Sequence, residues 1–200
     1  MLEDELGHRG VDKAALIDRA VIDSNDYRRK FDNATDNPKL NKALYDVAKI
    51  LLYDRSGSLY ESMYWLDGIT GEIITKFVSM GRIPKLTGKD HELKVEYSDG
   101  LLKKLRGHTN VTVIHNHPNS TAPSAGDFNS ACIHNYTMGF VAAHDGRLFK
   151  YASNELINSN IYEKYWREYV EDYFEEVEAQ KLAIDKIAQN SDITFEEVYR

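Results

Sequence analysis

The stretch Val111-Thr112-Val113-Ile114-His115-Asn116-His117-Pro118 constrains this chain more than any other. Its β-branched residues read as a strand, and Pro118, which has no N–H to give to a ladder, ends it. Side chains on a strand alternate faces, so His115 and His117 project to one side and Asn116 to the other. Two imidazoles therefore converge at a strand end. Turn chemistry follows in Asn119-Ser120-Thr121-Ala122-Pro123. Then comes Ser124-Ala125-Gly126-Asp127, in which Ser124 is a favoured helix N-cap and Asp127 takes the N3 position. A carboxylate in that first helical turn can swing back over the strand end.

His115, His117 and Asp127 would then offer three ligands of nitrogen and oxygen type. A tetrahedral zinc held by them keeps one position for water, the pattern of a catalytic rather than a structural site. Plainer accounts exist: Ser124 and Asp127 form a capping pair, and one histidine of a His-x-His is commonly just hydrogen-bonded or exposed. A paired-histidine strand end, a proline stop and a Ser-x-x-Asp helix start are together hard to explain by capping alone, which favours the metal. Zinc suits a His-rich tetrahedral set best, although an N/N/O set with an open position also accepts iron or manganese.

Hydrolysis at such a site needs a proton shuttle, and a carboxylate is the usual one. Glu92 and Glu96, in His91-Glu92-Leu93-Lys94-Val95-Glu96-Tyr97, fall on the polar face of an alternating strand and read as solvated. Glu72 follows Thr70-Gly71, a turn between two strands, and belongs at an exposed hairpin tip. Glu61 opens the apolar strand Ser62-Met63-Tyr64-Trp65-Leu66, at its mouth and at a sheet edge. Glu61 is the chosen base, with Glu72 in reserve.

The string HNHPNSTAPSAGD resembles the signature of the JAMM (MPN-plus, or JAB-domain) metallopeptidases: an upstream Glu, then His-x-His-Pro, a variable loop, and Ser-x-x-Asp. The resemblance extends over about residues 38–153. Leu40 to Tyr53 fits the family's helix before the Glu, and Glu61 to Gly68 its first apolar strand. Ala125 to Tyr136, Met138 to Ala143, the turn at Asp145-Gly146 and Leu148 to Ala152 fit the helix, strand, turn and strand after the Asp. It implies zinc ligation by His115, His117 and Asp127, acid/base work by Glu61 and oxyanion stabilisation by Ser124. It also implies a cytidine-deaminase-like JAB/MPN architecture and a protein or peptide substrate, including a ubiquitin-like conjugate. A polar insertion around Gly81 to Gly100 departs from the smallest members of the family. The terminal extensions are similar in style to JAB-domain proteins of bacterial and phage genomes. The resemblance leaves two alternatives: a non-catalytic scaffold module of the same fold, and a DNA-associated protein like the RadC-type relatives.

The expected fold is α/β (α+β), a mixed curved sheet flanked by helices, with the zinc at its edge. Residues 1–37 read as a helical docking arm, 38–153 as the metallopeptidase-like domain and 154–200 as an acidic amphipathic helical tail. Helical periodicity over 11–23 extends through Tyr27 to Phe31. In the tail, Ile161, Tyr162, Tyr165, Trp166, Tyr169, Val170, Tyr173 and Phe174 give one aromatic helical face, which packs on its own domain or on a second copy or partner. Thr194-Phe195-Glu196-Glu197 reads as a capping box that opens a further helix.

The net charge of −7 comes from residues 152–200, with 12 acidic and 5 basic side chains, while residues 1–151 carry 20 of each. That balance argues against nucleic acid as a partner, and Lys103-Lys104-Leu105-Arg106 reads as a solvated helix end. The single cysteine, Cys132, reads as a buried structural thiol. With no bilayer-length apolar run and an acidic start, Met1-Leu2-Glu3-Asp4-Glu5, the expectation is a soluble cytoplasmic protein without membrane contact.

Overall fold

The computed structural model describes residues 15–78 and 97–199. Two helices, α1 (Arg19–Ile22) and α2 (Asn25–Asp32), lead to the long α3 (Pro38–Arg55) and the hairpin β1 (Ser62–Asp67) and β2 (Ile73–Val78). Then follow α4 (Asp99–Leu105), β3 (Val111–His117), α5 (Ala125–His134), β4 (Met138–Ala143) and β5 (Leu148–Ser153). The chain continues through α6 (Ser159–Glu171), α7 (Glu176–Ala188) and β6 (Ile193–Glu197). The strands form one mixed six-stranded sheet in the order β2-β1-β3-β4-β5-β6. β3 and β4 run parallel, as their helical crossover α5 requires, and the other neighbours are antiparallel.

Helices cover both faces of the sheet. Met63, Trp65, Val113, Val141 and Tyr151 face Phe128 and Ala131 of α5 and Ile184 and Ile187 of α7. Tyr64, Leu66, Ile114, Phe140 and Leu148 face Leu40, Leu44, Val47, Leu51 and Leu52 of α3, with Tyr27 and Phe31 of α2. The alternation within β1, β3 and β4 divides neighbouring residues between these two cores. All seven residues of β3 are consequently buried. α3 begins where Asn37 accepts the Lys39 and Leu40 N–H groups, with Pro38 in the first turn. Its buried residues recur at three and four, which lays one stripe on the sheet.

The elements depart from the sequence expectations in several places. Of the helix expected over 11–23, residues 11–14 lie outside the described residues, 15–18 are not helical and only Arg19–Ile22 forms, capped where Asp18 accepts the Ala20 N–H. It does not continue into α2, because Ser24 accepts the Tyr27 N–H as an N-cap while its hydroxyl bonds the Val21 carbonyl. Thr194 to Glu197 is not a helix but part of β6. Pairing with β5 stacks Phe195 on Phe149 at 5.9 Å, and that edge outweighs the capping box. The aromatic tail is not one helix either: α6 ends at Glu171, and Tyr173 has a left-handed φ of 69° before α7 begins. Tyr162 is buried against the sheet layer, and Lys186 of α7 lies 4.0 Å from the Tyr165 ring centroid. Cys132 is half-buried rather than buried. Lys103, Lys104 and Arg106 are exposed at the end of α4, as a solvated helix end should be. Among the described residues no helix is long and apolar enough to cross a membrane.

Gly139 of β4 lies opposite Tyr151, and a Cβ at that position would fall 2.2 Å from the Tyr151 ring. Tyr151 in turn meets His115 edge to face at a centroid separation of 6.2 Å. Gly139→Ala should therefore overpack the layer behind His115 and cost about 1–3 kcal/mol in urea denaturation.

Candidate metal centre

The end of β3 and the start of α5 meet on the α5 face of the sheet. His115 and His117 are buried, with their Nε2 atoms 3.0 Å apart. Asp127 brings Oδ1 to 3.2 Å from His115 Nε2 and Oδ2 to 3.6 Å from His117 Nε2. In a tetrahedral zinc site with nitrogen or oxygen ligands near 2.0–2.1 Å, neighbouring donors lie about 3.3 Å from one another. The two ring nitrogens and Asp127 Oδ1 beside His115 come near that spacing, and one ligand atom from each of the three side chains lies within 4.8 Å of the others, so the group could hold a metal ion.

Donor chemistry supports the fit. His117 Nδ1 lies 3.0 Å from the Thr121 carbonyl, which can only accept, so Nδ1 carries the ring proton and the Nε2 lone pair faces His115. The Thr121 hydroxyl is 3.1 Å from the same nitrogen and gives its own hydrogen to Asn119 Oδ1. A carbonyl that fixes the tautomer of a ligating imidazole is a recurrent outer-shell device. His115 Nδ1 is buried with no hydrogen-bond partner among the described residues. Two facing ring nitrogens can share only one proton, whereas a cation between them takes both lone pairs.

Asp127 serves two functions at once. Its Oδ2 accepts the Ser124 backbone N–H at 2.6 Å and the Ser124 hydroxyl at 2.8 Å, completing a capping box, while Oδ1 faces His115. Burial opposes its charge, but the His115 and His117 imidazoles and the Ser124 N–H outweigh burial and hold its carboxyl well below the usual carboxylate range. The capping and cluster readings are thus both true of the same residue. Ser124 is exposed, and its hydroxyl hydrogen is engaged by Asp127.

Glu61 stands at the rim of the cluster, with Oε1 3.9 Å from His117 Nε2 and its side chain 29% exposed. The register explains this position: Met63 lies opposite His115, so the next same-face pair along the antiparallel ladder is Glu61 with His117. Glu72 is exposed at the β1–β2 turn, where its carbonyl accepts the Asp67 N–H. Glu92 and Glu96 lie outside the described residues, as does most of the segment around Gly81 to Gly100. The site is not at a lateral sheet edge. β2 pairs along the far side of β1, so the cluster occupies the ends of interior strands.

The loop between the histidines and α5 is fixed by residues that carry no sequence signature. Ser120 adopts a left-handed φ of 61°, unusual for a non-glycine residue. Its hydroxyl accepts the Asp145 N–H at 3.0 Å, and its carbonyl accepts Arg147 Nη2 at 3.1 Å. Ala122 N–H donates to Gln180 Oε1 at 3.0 Å, tying the loop to α7. A proline and turn-forming residues marked this segment as a loop, but nothing local marks partners so distant in sequence. No family model, no curated protein and no solved structure matches the chain.

Two outcomes follow from this geometry. Calorimetric titration with zinc should show one ion per chain. Asp127→Asn, which retains an acceptor for the cap, should weaken binding by more than the roughly 10–100-fold typical of an outer-shell change. In metal-free protein, the stability that the Asp127 carboxylate contributes should be present above the ordinary carboxyl range. It should decline once the pH falls through the ordinary carboxyl range near about 4 and disappear only below the depressed folded-state value. Asp127→Asn should flatten that acid limb in urea denaturation measured across pH.

Proposed function

We propose that this chain is a zinc-dependent hydrolase of the JAMM type, with the JAB/MPN variant of the α/β sandwich, that cleaves a peptide or isopeptide bond. The observation that carries the reading is Glu61. A carboxylate distant in sequence reaches the rim of the His115, His117 and Asp127 cluster, at 3.9 Å from His117. Structural metal sites are closed by a fourth ligand, whereas among the described residues this cluster has three donors and a part-exposed acid beside them.

When bound, zinc supplies Lewis acidity and brings the pKa of a water to about 7. Glu61 accepts the proton that the attacking water loses and delivers it to the departing nitrogen, so that the products are a carboxylic acid and an amine. In this reading the exposed Ser124 hydroxyl, bonded to Asp127 Oδ2 in the free protein, turns toward the substrate and stabilises the negative oxygen of the tetrahedral carbonyl adduct. His115 and His117, held in the sheet and by Thr121, keep the donor set fixed while proton transfer takes place at the rim. The substrate class is a peptide or a lysine-linked, ubiquitin-like conjugate. A lone half-buried cysteine suits a reducing compartment, and the cytoplasm is the proposed location.

The test incubates zinc-loaded protein with a quenched peptide library and with lysine-linked ubiquitin-like conjugates. Cleavage should vanish on chelation and return with zinc. Glu61→Gln should retain stoichiometric zinc yet lose about 10²–10⁴ in rate. Undiminished activity in that variant would remove Glu61 as the base. Protein purified without chelator that carries no metal would point instead to a scaffold module.

A further inference from the structure

Asn116, between the two histidines, points to the opposite face of the sheet and is fully buried. Its Oδ1 accepts the Ser62 N–H at 2.9 Å, and its Nδ2 donates to the Tyr60 carbonyl at 3.2 Å. One side-chain amide therefore grips the backbone on both sides of Glu61, a residue that lies just outside strand β1. The grip works only with the amide oriented so that oxygen faces Ser62 and nitrogen faces Tyr60.

His144, also fully buried, determines that orientation. Its Nδ1 donates to the Ala15 carbonyl at 2.8 Å, which leaves Nε2 as a bare acceptor, 3.2 Å from Asn116 Nδ2. Burial pushes this imidazole below its ordinary range, in keeping with a neutral ring. The Ala15 carbonyl also accepts the Gly57 N–H at 3.1 Å, and the Ala15 N–H donates to the Pro118 carbonyl at 2.8 Å. The far end of the chain of hydrogen bonds is thus anchored to both segments that flank the site.

We propose that Asn116 is a positioning residue for Glu61: it clamps the backbone at Tyr60 and Ser62 and so holds the carboxylate beside the metal cluster, with His144 locking the amide in the required orientation. Its kinetic consequences rest on the hydrolase reading above, whereas the clamp itself does not. The same three-residue piece of β3 then presents two imidazoles on one face and fixes the acid/base residue from the other. A misplacement of about 1 Å in a reacting group can cost on the order of 100-fold in rate, so a clamp on the backbone is a large lever.

Amide hydrogen exchange and kinetics on Asn116→Ala and His144→Phe test this proposal. Asn116→Ala should accelerate exchange of the Ser62 N–H at least about tenfold while Tyr64, deeper in the strand, is unaffected. Zinc stoichiometry should be unchanged. On any conjugate or peptide that the wild type cleaves, kcat should fall about 10–100-fold with KM within about twofold. Added to Glu61→Gln, the substitution should cost nothing further, because it acts only through that residue. His144→Phe should move each readout in the same direction by less, and it carries the test if Asn116→Ala does not fold. Unchanged Ser62 exchange, or an equal loss in the Glu61→Gln background, would overturn the proposal. Failure of the wild type to cleave any substrate would sink the hydrolase reading alone, since Ser62 exchange still decides the clamp.

Discussion

Burial of β3 on both faces is the constraint from which the other features of the site follow. A strand sandwiched between two helical layers cannot send a polar side chain to water, so polar groups on it are driven to find partners within the protein, as those of His117 and Asn116 do while the Thr112 hydroxyl does not among the described residues. The α5 face receives His115 and His117, which find each other, Asp127 and Thr121. The α3 face receives Asn116, which finds Ser62, Tyr60 and His144. Neighbouring β1 runs antiparallel in a register that pairs Met63 with His115, and this places the start of that strand beside the end of β3. Shifting the register by one residue would exchange the imidazoles and the amide between faces and dismantle both sets of contacts.

The cluster also lies where general features of α/β sheets favour a ligand site. β3 and β4 are the parallel pair, and the crossover helix α5 begins beyond the carboxyl end of β3. The N-terminus of α5 carries partial positive charge, which complements the Asp127 carboxylate that caps it. Helix start and strand end are therefore coupled through one side chain, and changes to either will be felt at the other.

The sequence made the histidine strand, the Ser-x-x-Asp helix start, the place of Glu61 at the mouth of β1 and that of Glu72 at an exposed turn legible, because each depends on a short-range pattern: alternation, a cap, a turn. Strand order has no such local signature, so an interior site was expected at an edge. Thr194 to Glu197 satisfies a capping pattern and an alternating strand equally well, and only the vacant side of β5 decides between them. Ser24 shows the converse, a cap strong enough to divide a helical periodicity that otherwise reads as continuous. The parts played by Asn116, His144 and Thr121 were illegible for a different reason. A side chain bonding a backbone group more than fifty residues away, as Asn116 does, becomes visible only once the fold has brought the two together.

The segment from Pro118 to Ser124 is fastened at Ser120 by Asp145 and Arg147, at Thr121 by His117, and at Ala122 by Gln180. A loop secured at successive positions has little conformational entropy left to lose. The three side chains beneath it are therefore preorganised, and a ligand that they held would pay mainly for desolvation rather than for ordering the chain. Small zinc domains fold and bind metal in a single event, whereas this chain buries two hydrophobic cores built from residues other than the His115, His117 and Asp127 group.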